Sequence, residues 1–472
     1  MRPVNRGHPG AKIRKTGDPD VDRSVEATED IGKSGTYPGA FAAWYMVAVL
    51  VVAYTFSFID RQILTLLVHD IQHDLKINDT AMGVLHGFTF AVFYSVAGLP
   101  IARAIDVGPR RLILAAGIFA WSLTTALCGI ASRYWHLLVL RVGVAVGEAT
   151  LLPAMNSMIA DAFPPDRRGL ATALFNVGLP IGIGLSVLFG GVLINAFEGV
   201  ELTVPGVGVL KPWQLVFLSV GLPGLVVAVL CFTMMDPPRQ QTMKDGESVP
   251  IRDVLQHLIR YRAAFGLHFT AVCFASMVGY GYVAWIPAMY IRNFDISSGD
   301  MGIIYGLITL VFGVISIIIA GWFSDFWDSR GNADGKMRAP LIAVSASFIP
   351  AVAFPLISDL YLSFVMLAVF LFFSYAIWST GAAVIQDLSP GPMRAQITAI
   401  YTGILNLVGL GCGPVGVGLL TDYWFGDPAD VKYSMVVFAV FGTSVAIIAW
   451  LLCLRPYRVY ARRLQNWKPS VA

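Results

Sequence analysis

Charge is what this sequence has least of. Asp, Glu, Lys and Arg make up 13% of its 472 residues, about half the share carried by a soluble globular domain. Such a chain has too few charges to cover a soluble surface, which excludes an ordinary soluble enzyme or binding module. The net charge is only +3, so no electrostatic case exists for a nucleic-acid partner. Cysteine is sparse too. Cys128, Cys231, Cys273, Cys412 and Cys453 all fall in apolar runs and none forms a CxxC, so neither a disulfide framework nor a zinc site is indicated. Histidine supplies one cluster, HDIQHD at 69–74, where His69 and His73 stand four apart beside Asp70 and Asp74. It falls at an outer helix end, where polar residues belong, and a membrane metalloenzyme needs several such clusters. No GxSxG, HExxH or Walker loop stands in a workable context. The chain is therefore not read as an enzyme, and neither a metal nor any other cofactor is expected. Without a nucleotide-binding domain, any energy source is an ion gradient or the substrate's own.

What the chain does have is apolar length. Hydrophobic residues make up 56% and the mean hydropathy is +0.68. A membrane-spanning helix needs about 20 apolar residues. Twelve such runs are readable, at roughly 41–69, 80–105, 111–131, 137–160, 168–196, 213–235, 263–291, 300–325, 339–357, 360–387, 395–421 and 433–455. The expected fold is an all-α integral membrane protein. Residues 1–38 are polar, show no signal-peptide pattern and read as a disordered tail. They precede an N-terminal half at 39–235, a linker at 236–262, a C-terminal half at 263–456 and a tail at 457–472. Within the linker, Ile251, Val254, Leu255, Leu258 and Ile259 recur at helical spacing, opposite Arg252, Asp253, Gln256 and Arg260. This pattern suits an interfacial amphipathic helix or a plain solvated linker helix.

Orientation follows from Lys and Arg. Arg61 and Arg141 lie inside helices. Of the rest of the 33, only Lys76, Arg133, Lys211, Arg292 and Lys432 fall on the face opposite the termini. Both termini are therefore expected in the cytoplasm, with the chain in a bacterial inner membrane.

The two halves echo each other. DAFPPDRRGLATAL (161–174) aligns without a gap on DLSPGPMRAQITAI (387–400), WQLVF (213–217) fainter on YSMVV (433–437), and Asp106 on Asp325. Three matches in one order argue for two pseudo-symmetric six-helix halves. ARAIDVGPRR (102–111) resembles the loop signature between helices two and three of the major facilitator superfamily. Asp106, Arg110 and Arg111 fit it, while Ala102, Val107 and Pro109 depart from it. GWFSD (321–325) is its second copy, and RVGVAVGEA (141–149) resembles the helix-four signature. FIDRQIL in helix one, with Arg141, Glu148 and Pro153, is similar to the spinster-like branch. The resemblance implies parallel halves, a site between them near the midplane, alternating access, and an amphiphilic, lysolipid-like substrate. It also implies a latch between the halves at Asp106, Arg110, Arg111 and Asp325; ordinary positive-inside decoration is the competing reading.

The stretch VVAYTFSFIDRQILTLLVHD (51–70) sets Asp60 and Arg61 inside helix one. By helix rise they lie roughly 12 Å below the outer end, with Arg141 roughly 6 Å deep and Glu148 roughly 16 Å deep in helix four. The two acids and two bases sum to no charge. Isolated charges at such depths are costly, so they pair or face a wet cavity. The acids can exchange a proton while Arg stays charged, which makes the cluster a candidate for proton coupling. A static brace serving an uncoupled facilitator or lipid scramblase is the alternative. His86 is expected nearby, as a hydrogen-bonded interior histidine or an assistant to the cluster. The second half has only His268 of the ionisable kinds within its helices. It offers instead Tyr280, Tyr282 and Trp285 in GYGYVAW, and Tyr375 and Trp378 in FSYAIWST, as candidate cavity lining. A charged wall facing an aromatic one suits an amphiphile. The other expected partners are protons and the lipid bilayer, and the chain is expected to act as a monomer.

Overall fold

The computed structural model describes residues 37–200, 202–205, 208–239, 249–329, 335–390 and 393–465. The expected tail over 1–36, linker residues 240–248 and the last residues 466–472 lie outside these. Among the described residues, eleven helices are long and apolar enough to cross a membrane. In chain order these are helix one, Ala40–Leu66; two, Asp79–Val107; three, Arg110–Cys128; four, Tyr134–Ala162; six, Pro212–Cys231; and seven, Arg262–Phe294. Helix eight is Ser298–Ser329, nine Gly335–Ala353 and ten Leu360–Leu388. Helix eleven covers Gln396–Phe425 and helix twelve Val431–Gln465. Helix five stands where the sequence places it, Pro165–Phe197, with Pro165 in the first turn, where a missing N–H costs nothing. A helix of its 33 residues is about 50 Å long, ample for a hydrocarbon core of about 30 Å.

Three local departures matter for the site. Helix four breaks at Ala149 and Thr150, between segments Tyr134–Glu148 and Leu151–Ala162. Pro153 is the cause: its ring clashes with the carbonyl four residues back, which belongs to Ala149. Glu148 therefore ends the first segment. Helices two and eleven each carry a wider π turn, Val84–Phe88 and Asn406–Leu410, a feature that concentrates at functional sites. The helix five–six loop holds a two-stranded hairpin pairing Leu202–Val204 with Gly208–Leu210. Gly208 turns it at φ +106°, a conformation that suits only glycine.

The linker helix Ile251–Arg260 packs on the C-terminal half. The halves meet through helix two on eleven and helix five on eight. Cover is tight on the side away from the termini, here called the far face. Towards the termini face the same helices lose it: a Cβ on Gly98 of helix two or on Gly321 of helix eight would meet nothing within 4 Å.

Candidate functional site

Arg61 and Glu148 form an ion pair between Nη2 and Oε2. The Glu148 side chain is fully covered, and Arg61 is sandwiched by aromatic rings, its guanidinium carbon 4.1 Å from the Phe90 centroid and 5.0 Å from that of Phe58. Gly147 lets helix four close on helix three beside the pair, since a Cβ there would stand 2.8 Å from the Gly117 carbonyl.

Arg141 takes a different partner from the one its charge suggests. Its Nη1 donates to the backbone carbonyl of Asp60 at 3.1 Å and its Nη2 to that of Arg61 at 3.3 Å. Ser186 on helix five donates to the Ile59 carbonyl at 3.0 Å. Three consecutive carbonyls of helix one are thus held by neighbouring side chains.

Both bases are engaged, and the Asp60 carboxyl is left over. It is completely buried and bonded to neither arginine, with the Thr125 hydroxyl of helix three within hydrogen-bonding reach. Nearby, Ser122 Oγ and Glu148 Oε1 have no partner. His86 sits on the π turn of helix two, buried, with Nδ1 unbonded. That atom departs from the hydrogen-bonded interior histidine expected there. His268 fits that description instead, accepting from Trp450 Nε1 at 3.2 Å and meeting the Gly381 carbonyl at 3.2 Å.

The aromatic residues divide. Tyr280 and Trp378 pack at 4.8 Å between centroids and Trp378 and Tyr375 at 5.8 Å. Tyr280 comes within electrostatic reach of Arg61, as do Tyr54 and Tyr94 of the N-terminal half. Tyr282 and Trp285 do not join this wall. Tyr282 is fully buried in its own half, its hydroxyl donating to the carbonyls of Ala351 at 3.0 Å and Met435 at 2.9 Å. Trp285 donates from Nε1 to the Pro414 carbonyl at 2.9 Å. Residues 280 and 282 lie two apart on one helix and so point to different faces.

The far face is bolted by residues that sequence reasoning passed over. Arg292, at the end of helix seven, donates to both carboxylate oxygens of Asp79 on helix two, at 2.8 and 2.7 Å. Gln72 joins them, accepting from Arg292 at 2.8 Å and donating to Asp79 at 2.6 Å. Asp422 of helix eleven accepts from the backbone N–H of Asp79 and Thr80 at 3.2 and 2.7 Å. A carboxylate there also meets the positive end of the helix-two dipole. Below, Gly83 and Gly87 admit helix eleven so closely that a Cβ would stand 2.7 Å from the Pro414 oxygen and 2.3 Å from that of Leu410. Gly302 and Gly306 do the same for helix five, with Cβ approaches of 2.6 Å to Gly191 and to Leu188. A signal existed: MGVLHG at 82–87 recurs as MGIIYG at 301–306, in the register that relates Asp106 to Asp325.

On the termini face, Arg110, Arg111 and Arg239 bond to neighbours before helix seven. Arg110 is 2% exposed and donates to Asp236 at 3.0 Å, to Asp161 at 2.5 Å, and to the Pro237 carbonyl. Arg111 donates to the Met234 carbonyl at 3.1 Å. Arg239 donates to the carbonyls of Asp106, Ile105 and Gly108. In this state Arg110 braces helices three and four to the segment after helix six, where the sequence suggested a latch between halves. The Asp325 side chain lies outside those described. At HDIQHD, Asp74 is held by Lys211 and by Trp213 Nε1. Among the described residues no three His, Cys, Asp or Glu gather in an arrangement suited to a metal.

Known proteins share this architecture. An efflux pump of the same transporter type from Mycolicibacterium smegmatis is 28% identical over 426 residues, covering 88% of this chain and 94% of that protein. Protein spinster homolog 1 of Homo sapiens is 25% identical over 82% of this chain and 74% of its own length. A hexuronate transporter of Bacillus subtilis is 24% identical over 80% of this chain and 87% of its own. Among solved structures, a bacterial homologue of the human lysosomal transporter spinster, inward-facing and unoccupied, superposes with a TM-score of 0.74 at 24% identity. It covers 92% of this chain and all of that one. The family model of the Major Facilitator Superfamily matches residues 50–376, and the chain belongs to that superfamily.

Proposed function

We propose that this protein is a proton-coupled secondary transporter that carries a lysolipid-like amphiphile by alternating access, with Asp60 as the proton-binding group. The observation that carries the reading is the Asp60 carboxyl, fully buried and bonded to neither neighbouring arginine, both of which are engaged elsewhere, with only the Thr125 hydroxyl in reach. An ionised carboxylate so placed would bear a large desolvation cost, and in the proposed cycle this state is the one in which Asp60 holds its proton. Losing that proton creates a buried anion, and the nearest answer is Arg141. To reach it, Arg141 has to leave the Asp60 and Arg61 carbonyls, which releases the clamp on helix one. Protonation and helix position then compete for one guanidinium, which is how two events become coupled.

The substrate would lie between the Arg61–Glu148 pair and the Tyr280, Trp378 and Tyr375 rings, its polar end at the ions and its apolar end along the aromatics. Entry would be from the termini face, which the positive-inside pattern sets in the cytoplasm. The hexuronate-transporting relative supplies the rival substrate class, a small sugar acid. The test uses sealed proteoliposomes with an internal pH dye, challenged with lysophosphatidylethanolamine or with glucuronate. Proton movement driven by the lysolipid alone supports the reading. Movement driven by glucuronate alone overturns the substrate class, and lysolipid transport without proton movement overturns the coupling.

A further inference from the structure

We infer that the linker helix Ile251–Arg260 is a three-sided interfacial anchor, seating its Ile251, Leu255 and Ile259 edge in the bilayer and its Arg252 among anionic lipid headgroups. On a helix advancing roughly 100° per residue, the ten residues fall into three sectors. The first holds Val254, His257 and Leu258 and is turned to the protein. Val254 is fully buried, Leu258 packs beside it, and His257 Nε2 meets the Tyr460 hydroxyl at 2.6 Å. The second holds Ile251, Leu255 and Ile259, which are 56%, 46% and 66% exposed. The third holds Asp253, Gln256 and Arg260, all exposed.

Its apolar arc runs on from the docked Val254 and Leu258 to an exposed second edge of Ile251, Leu255 and Ile259, wider than docking on the protein needs. The second edge is explained by the helix's position. It runs at once into helix seven at Arg262, and the Val249 carbonyl before it accepts from Gln396 Nε2 of helix eleven at 2.7 Å. It is therefore pinned where membrane-crossing helices leave the bilayer, and its free apolar edge lies beside the headgroup–acyl boundary. An apolar edge at that level, flanked by basic groups, is the pattern of an interfacial helix. Arg252 marks the seam between the apolar and polar sectors, and exposed Arg260 and Arg262 follow on the same face of the membrane. One acid, Asp253, opposes three bases, so the complementary surface is anionic.

The test uses the full chain in lipid nanodiscs, with exposed Cys412 replaced by Ser and single cysteines at 251, 255 and 259 or at 253, 256 and 260. Spin labels on the first set should be more accessible to oxygen than to a water-soluble nickel complex, and labels on the second set the reverse. Equal accessibility for both sets overturns the bilayer seat. For the headgroup, a bimane label at Leu255→Cys should be quenched by doxyl phosphatidylglycerol at about fivefold lower mole fraction than by doxyl phosphatidylcholine, the worth of one basic group near an anionic surface. Arg252→Gln should erase that preference. Equal quenching by both lipids in the parent, or a preference that survives Arg252→Gln, overturns the anionic site. All labelled positions are exposed, and size-exclusion elution confirms that each variant folds.

Discussion

Breaking the far-face bolt should open the protein on the side where this structure is shut. The ion pair of Arg292 and Asp79 is buried, with side-chain exposures of 8% and 3%. Asp79→Ala leaves the guanidinium without its charge partner in a covered site. Removing one member of a buried pair costs about 3–5 kcal/mol. In a state open on the far face both groups stand in water, so nearly the whole cost falls on the closed state alone. At 1.4 kcal/mol per decade this shifts the population roughly a hundred- to several-thousand-fold towards far-face opening. Arg292→Ala should do the same. The double variant should recover part of the closure, because loss of both partners strands no buried charge. The assay is a spin-label distance between Lys76→Cys and Asp427→Cys, both exposed on the far face, in a Cys412→Ser background. A folded Asp79→Ala protein with the parent's distance distribution would refute the role of the bolt.

Other outcomes follow from the same geometry. Glu148→Gln removes the anion from the Arg61 pair and should lower the thermal transition, whereas Asp60→Asn loses no bond and should leave it unchanged; nano-differential scanning fluorimetry compares the two. Gly87→Leu forces a side chain against the Leu410 carbonyl and should lengthen the far-face distance without touching any charge. Burial, with Arg260 next to it, lowers the His257 proton affinity below the ordinary histidine value. A depressed histidine costs nothing at neutral pH, and its docked form weakens as pH falls below the unperturbed value near 6.5. The amide protection factors of Ile251–Arg260, corrected for intrinsic exchange at each pH, should therefore fall on acidification, and His257→Gln should flatten that dependence.

The spans were legible because a twelvefold apolar pattern has no other solution in a bilayer. The gathering of Asp60, Arg61, Arg141 and Glu148 was legible from helix rise, which set them at overlapping depths but left open which of them pair. Rise does not give the direction in which a side chain points. That is why the partners of Arg141 stayed open in the sequence, and the structure puts it on the Asp60 and Arg61 carbonyls. The same gap hid the split between Tyr280 and Tyr282. Arg292 and Asp79 were missed for another reason: a charge at a helix end usually decorates a loop, and only the approach of two distant segments turns it into a bolt. The contacts of Arg110 in this state were not legible, because the chain after helix six returns to meet it, which local spacing cannot show.

The coupling role of Asp60 is tested most directly by the far-face distance measured as a function of pH. The labels at Lys76→Cys and Asp427→Cys are read in the parent and in Asp60→Asn. In the parent, raising the pH should strip the Asp60 proton, draw Arg141 from the helix-one carbonyls and move the population towards an open far face. Asp60→Asn imitates the protonated form and should stay closed at every pH. A variant that keeps the parent's pH response would contradict the proposal and leave Asp60 as part of a static brace.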